Sequence, residues 1–186
     1  MRVVSFDSHW QEPAKTEKAA YEAICNEGNN YLKEYTYFAF PWASLIDAFQ
    51  AKSMNRWELL AALRHASQAI PNNSRVVTVC QHIYAFNYIK LFASIGITDL
   101  FSPHKLLKLS MLEGVNLYPF PLYPVQECPN QIIDRFDIQY IASFIGAFNP
   151  KVYLTEIRQS IFDLQDQEDG ILIIKRDAWH YDRAVY

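Results

Sequence analysis

Two histidines stand just beyond apolar, β-prone runs: His82 in TVCQHIYAF (78–86) and His104 in LFSPHK (100–105). An imidazole so placed can take a proton from a hydroxyl or hold it by a hydrogen bond. Gln81 and Lys105 are their immediate neighbours. An earlier run, YFAFPWASLID (37–47), brings Trp42 and Asp47 to a similar place. His82, His104 and Asp47 are therefore candidate catalytic groups, and Trp42, Gln81 and Lys105 candidate substrate contacts. Each has a plainer alternative. A histidine after a strand serves as a turn or cap residue. Cys80 serves as a small buried hydrophobe, Trp42 as core or rim packing, and Asp47 as a surface or helix-pairing charge.

A second constellation is FIGAFNPKVYLTEIRQSIF (144–162). Gly146 falls at a strand end, where the backbone must turn tightly or approach a ligand. Asn149-Pro150 then offers a cap and a first-turn proline, and a helix N-terminus can bind phosphate through its amides. Arg158 would lie about 12 Å along that helix from Pro150, with its side chain leaning back toward the N-terminus. An Arg158 paired to Glu156 or Asp163, or solvated, is the alternative. G-x-S-x-G, G-x-x-x-x-G-K-[ST] and H-E-x-x-H are missing, the cysteines lack zinc spacing, and the acidic run from Asp163 to Asp169 is not a D-x-D pattern. No metal site is expected.

The elements that must position these groups follow a strand-then-helix rhythm. TYFAF (36–40), RVVTV (75–79), ITDLF (97–101), VNLYPF (115–120), IASFIG (141–146) and ILIIK (171–175) read as strands. Helices are expected over 13–27, opening at Pro13 and closing near Gly28, over 42–51, from a capping box at Asn55–Glu58, and over 83–95 with Gly96 as the stop. Tyr153, Ile157, Ile161 and Leu164 mark the apolar face of a further helix. The pattern predicts an α/β fold, a Rossmann-like parallel sheet flanked by helices, with right-handed crossovers and a partial second unit of the same kind. In such a sheet the carboxyl ends of the strands share one edge, so His82 and His104 should face a common crevice. The proline-rich stretch PFPLYPVQECPN (119–130) is the expected boundary.

Composition sets the frame. The 186 residues are 51% hydrophobic and 20% charged, with a net charge of −3. A packed core is expected, and with no basic stripe nucleic acid is not an expected partner. Cys25, Cys80 and Cys128 are an odd, sparse set that fits a reducing, cytoplasmic setting. No apolar stretch reaches the roughly 18 residues of a membrane span. MRVVSFDSHW does not read as a signal peptide.

Taken in order, YFAFPWASLID, TVCQHI, LFSPHK, the Pro-Phe-Pro-Leu-Tyr-Pro run, SFIGAFNPKVYLTEIRQSIF and the closing IIKRDAWHYDRAVY resemble the exostosin-like glycosyltransferases, in their compact microbial or viral form. The resemblance runs from about residue 37 onward. It implies a GT-B architecture, two Rossmann-like domains facing a cleft, and transfer of a sugar from a nucleotide-diphosphate sugar to a glycan or other acceptor hydroxyl. It implies no metal or other cofactor. His82 and His104 would line the acceptor side, and Gly146 and Arg158 would lie near the donor diphosphate. Members of the family continue past the equivalent of Tyr186 with the rest of the donor domain. The expectation is thus an acceptor-side domain over 1–128 and the start of a donor domain over 134–186. The missing half would be a partner, or the chain would self-associate. The alternative is a non-catalytic carbohydrate-binding, nucleotide-binding or interaction module.

Overall fold

The computed structural model describes residues 1–27, 34–124, 140–150, 155–164 and 170–176. Gly28, Cys128, Tyr153, residues 165–169 of the acidic run and the closing residues 177–186 lie outside the described residues. The chain divides into two compact units, Met1–Cys128 and Pro129–Tyr186.

In the larger unit, strands β1 (Arg2–Ser5), β2 (Tyr35–Ala39), β3 (Arg75–Val79), β4 (Asp99–Ser102), β5 (Met111–Leu112) and β6 (Val115–Pro119) lie in the order β1-β2-β3-β4-β6-β5. All pairings are parallel except that of β5, which folds back on β6. Helices α1 (Thr16–Glu27), α2 (Trp42–Gln50), α3 (Asn55–Ser67) and α4 (Ile89–Ser94) flank the sheet. This is the mostly parallel, Rossmann-like α/β fold that the rhythm of the sequence predicts.

The strands alternate as a two-sided sheet requires. Phe38, Val76, Leu100 and Leu117 pack on one face with Leu45 and Ile46 of α2, Leu59 and Leu63 of α3, and Phe92 of α4. Tyr37, Ala39 and Val79 face the other way, against Ala20 of α1. Each fully buried large apolar side chain contributes about 1.5–3 kcal/mol relative to exposure, so the first face carries most of the stability. Strands β1 to β4 advance across the sheet in one direction, yet α1 lies over one face and α2–α3 over the other. Successive crossovers on opposite faces have opposite hands, so uniformly right-handed units are not what forms. The advance is also without the reversal that makes a switch-point crevice. To reach its place on the far face, the chain after β1 runs along the carboxyl edge of β2 and β3.

Several local expectations are corrected. β1 and β5 were not anticipated. Helix α1 starts at Thr16 rather than Pro13. Residues 83–95 form a 3₁₀ turn, Ala85–Tyr88, and then the six-residue α4, and Asn87 and Lys90 face solvent, so the run is not buried all round. Gly96, at φ 88°, does end it. No capping box forms at α3: Met54 is the N-cap and has no side-chain cap bond, while Asn55 accepts a hydrogen bond from the Ser53 hydroxyl at 2.5 Å.

The smaller unit pairs β7 (Ala142–Ala147) with β8 (Ile171–Arg176) in parallel, six residues on each strand, beside α5 (Ile157–Phe162). Phe162 and Ile173 are buried, and Phe144 meets Phe162 edge to face at 5.4 Å. Helix α5 has Glu156 as its N-cap, so Asn149-Pro150 does not start it. Its buried residue is Phe162; Ile157 is 64% exposed and Leu164, beyond the helix, 40%.

Candidate functional site

The parallel run of β2, β3 and β4 delivers residues 40–47, 80–84 and 102–105 to one edge. There His82 is nearly buried, its Nε2 2.9 Å from Asp47 Oδ1 on α2. Its Nδ1 accepts the Tyr84 backbone N–H at 3.0 Å. That acceptor role leaves Nε2 to carry the hydrogen toward Asp47. Both ring nitrogens are thus engaged, and His82 is a fixed donor rather than an open base. The His104 ring lies near the Gln81 backbone and His82. Its backbone N–H donates to Ser102 Oγ at 3.3 Å, and neither ring nitrogen is hydrogen-bonded among the described residues. Burial pulls the His104 pKa below its ordinary value against the nearby Gln81 backbone, and His82 lowers it further. His82 and His104 thus lie near one another at this edge, and His82 has both ring nitrogens engaged.

Over this edge lies a strap that the sequence did not reveal. Its anchors are His9, Gln11, Ala14 and Glu17. The His9 carbonyl accepts the Ser44 hydroxyl at 2.6 Å. Gln11 donates to Asp47 Oδ2 at 2.5 Å and accepts from the Gln81 carboxamide at 2.8 Å. That carboxamide also donates to the Ala14 carbonyl at 2.6 Å, and its oxygen accepts the Glu17 N–H at 3.3 Å. The Glu17 carboxyl, 2% exposed, accepts the N–H groups of Gln81 at 3.0 Å and Ala43 at 3.1 Å. Ala43 stands in the first turn of α2, where amides favour a negative or polar group. Burial pushes the Glu17 carboxyl up to about 8, against its bonds to Gln81, Ala43 and Cys80 and with the help of the Asp47 charge. Burial likewise pushes the Cys80 thiol up, which leaves it no nucleophile. Sequence did hold one signal for Glu17. It shares the 17, 20, 21, 24 stripe with Ala20, Tyr21 and Ile24, an acid on an otherwise apolar helix face.

Three proposed contacts change role. Trp42 is fully buried, its Nε1 donates to Thr78 Oγ1 at 2.8 Å, and its ring lies 4.3 Å from that of Phe92. It is core, with no face for a sugar. Gln81 uses its whole carboxamide on the strap. Lys105 folds back, its ammonium donating to the Leu106 carbonyl at 2.9 Å.

In the smaller unit, Gly146 and Arg158 do come together, in a different way from that expected. Gly146 is a paired strand residue opposite Lys175 and makes no turn. A Cβ there would stand 2.9 Å from Arg158 Nη1, so the glycine makes room for the guanidinium. Arg158 Nη1 donates to the Ala147 carbonyl at 3.2 Å, and the guanidinium lies over the Phe144 ring at 5.6 Å. Helix α5 is too short for its amides to form a phosphate site, so positive charge here comes from the side chain.

Among the described residues no three His, Cys, Asp or Glu side chains stand close enough to hold a metal, and no helix is long and apolar enough to cross a membrane. A hollow of about 630 Å³ between β1 and α3 is bordered by Arg2, Ser5, Phe6, Ala62 and His65. No protein-family model, curated protein or solved structure matches the chain.

Proposed function

We propose that the chain is a glycosyltransferase-type protein that moves a sugar from a nucleotide-diphosphate sugar to an acceptor hydroxyl. The observation that carries this reading is the meeting of His104, His82 and Asp47 at the carboxyl edge of three parallel strands. The motif order that resembles the exostosin-like family supports it. In the larger unit, the acceptor hydroxyl gives its proton to a ring nitrogen of His104 as its oxygen attacks the anomeric carbon. The bond from that carbon to the diphosphate breaks, and the electron pair leaves with the diphosphate. Asp47 holds the His82 ring, which fixes the polar wall beside His104. Taken by itself, the smaller unit offers the positive charge of Arg158 for binding a nucleotide diphosphate. The test is release of nucleoside diphosphate and labelled-sugar transfer by the purified chain across a panel of nucleotide sugars. Turnover that disappears in His104→Ala is the expected result; full activity in that variant would end the assignment.

A second reading is a non-catalytic carbohydrate- or nucleotide-binding module. It is favoured by the closure of the edge, where Gln11 and Glu17 already occupy the polar groups. Nucleotide-sugar binding without turnover across the same panel would select it.

A further inference from the structure

Glu17 is an acid without a counter-charge. Among the described residues no Lys, Arg or His pairs with it. The groups around it are the Ala43 amide and Asp47 carboxylate from α2, the Gln81 amide and Cys80 thiol beyond β3, and the Tyr37 phenol from β2. Asp47 has the same sign as an ionised Glu17, and the His82 imidazole is bonded to Asp47. The amide bonds oppose this by favouring the ionised form. They are ordinary to long amide bonds, 3.0, 3.1 and 3.3 Å, set against full burial with no cation beside the carboxyl and Asp47 of like sign nearby. Two of them fall on Oε1. Oε2 has a long contact of 3.3 Å to an N–H already shared with Oε1.

We propose that Glu17 is the latch of a pH-dependent strap: residues 9–17 close the carboxyl edge while its carboxyl keeps a proton and release the edge when that proton passes to water. Closure covers Asp47 Oδ2 and the Gln81 carboxamide with Gln11 and Ala14; release opens all of them to a ligand. The direction follows from linkage. An acid whose pKa is raised to about 8 by closure favours the closed form fully below its ordinary value of 4.5, and loses that preference as pH rises through about 8. Within this window the closing equilibrium weakens up to about tenfold per pH unit. The latch stands whether or not the edge transfers a sugar.

The test is nuclear magnetic resonance on the full labelled chain from pH 5 to 9.5. The Glu17 side-chain carboxyl carbon and the amides of Ala43 and Gln81 should share one midpoint near 8. Protection against hydrogen exchange over residues 10–16, corrected for intrinsic rates, should fall by up to about tenfold per pH unit up to about pH 8 and level off above it. In Glu17→Gln both responses should be flat. A carboxyl midpoint near the ordinary value would overturn the proposal, as would an equal loss of protection in the variant. Should Glu17→Gln fail to fold, a wild-type midpoint near 8 with unchanged strap protection would overturn it equally.

Discussion

His104 and His82 differ in what their ring nitrogens touch, and that difference separates their substitutions. Loss of a general base lowers the rate by about 10²–10⁴-fold, so His104→Ala should reduce kcat by that order with donor KM little changed. Because burial lowers the His104 pKa, its neutral form persists into mild acid. The acid limb of the pH–rate profile should therefore begin below the ordinary histidine range, and the rate should fall as pH drops through it. His82→Ala should act on stability instead. It removes the bonds to Asp47 and to the Tyr84 amide, at a cost of about 1–3 kcal/mol, measurable as a lower urea midpoint. Residue types alone favour His82 over His104 for the acceptor side, the reverse of what the ring contacts support. Which one is satisfied depends on the turn that brings Tyr84 back toward His82, and no spacing rule encodes that.

At the scale of elements, the βαβ unit carries a paired prediction. Arg158→Ala should abolish nucleoside-diphosphate binding in calorimetry, and unchanged affinity would remove its assignment. Gly146→Ala should weaken binding as well, because its methyl would enter the space 2.9 Å from Nη1 while the strand pairing can persist. The long β-prone runs were legible because β-branched and aromatic residues buried on both faces leave a near-continuous apolar signature, as in RVVTV. β1 was not, since RVVS is four residues with Val4 alone buried. The 83–95 run misled for the opposite reason. Its apolar content suggested a helix buried all round, yet Asn87 and Lys90 point outward and the first turn tightens to 3₁₀. The strap was illegible because Gln11 and Glu17 find their partners 26 to 70 residues away.

For the larger unit as a whole, two buried acids pull stability in opposite directions with pH. Burial raises the Asp99 carboxyl, but Arg75, with Thr98 and Asn116, outweighs it and holds it below its ordinary value. Its contribution is present above the unfolded value and is lost as pH falls through the lowered one. Glu17 behaves in reverse, its contribution intact in acid and lost as pH rises from about 4.5 through about 8. Stability should therefore peak in mild acid and decline toward pH 8 by at most about 1.4 kcal/mol per pH unit. Urea midpoints against pH should show that decline in the wild type and a flatter curve in Glu17→Gln. Cys80 lies in the main core beside Glu17, with no exposed surface, while Cys25 stands in solvent. Iodoacetamide should label Cys25 at once and Cys80 at a pace set by how often the core around it opens, so a native thiol serves as a built-in stopwatch for breathing of the larger unit.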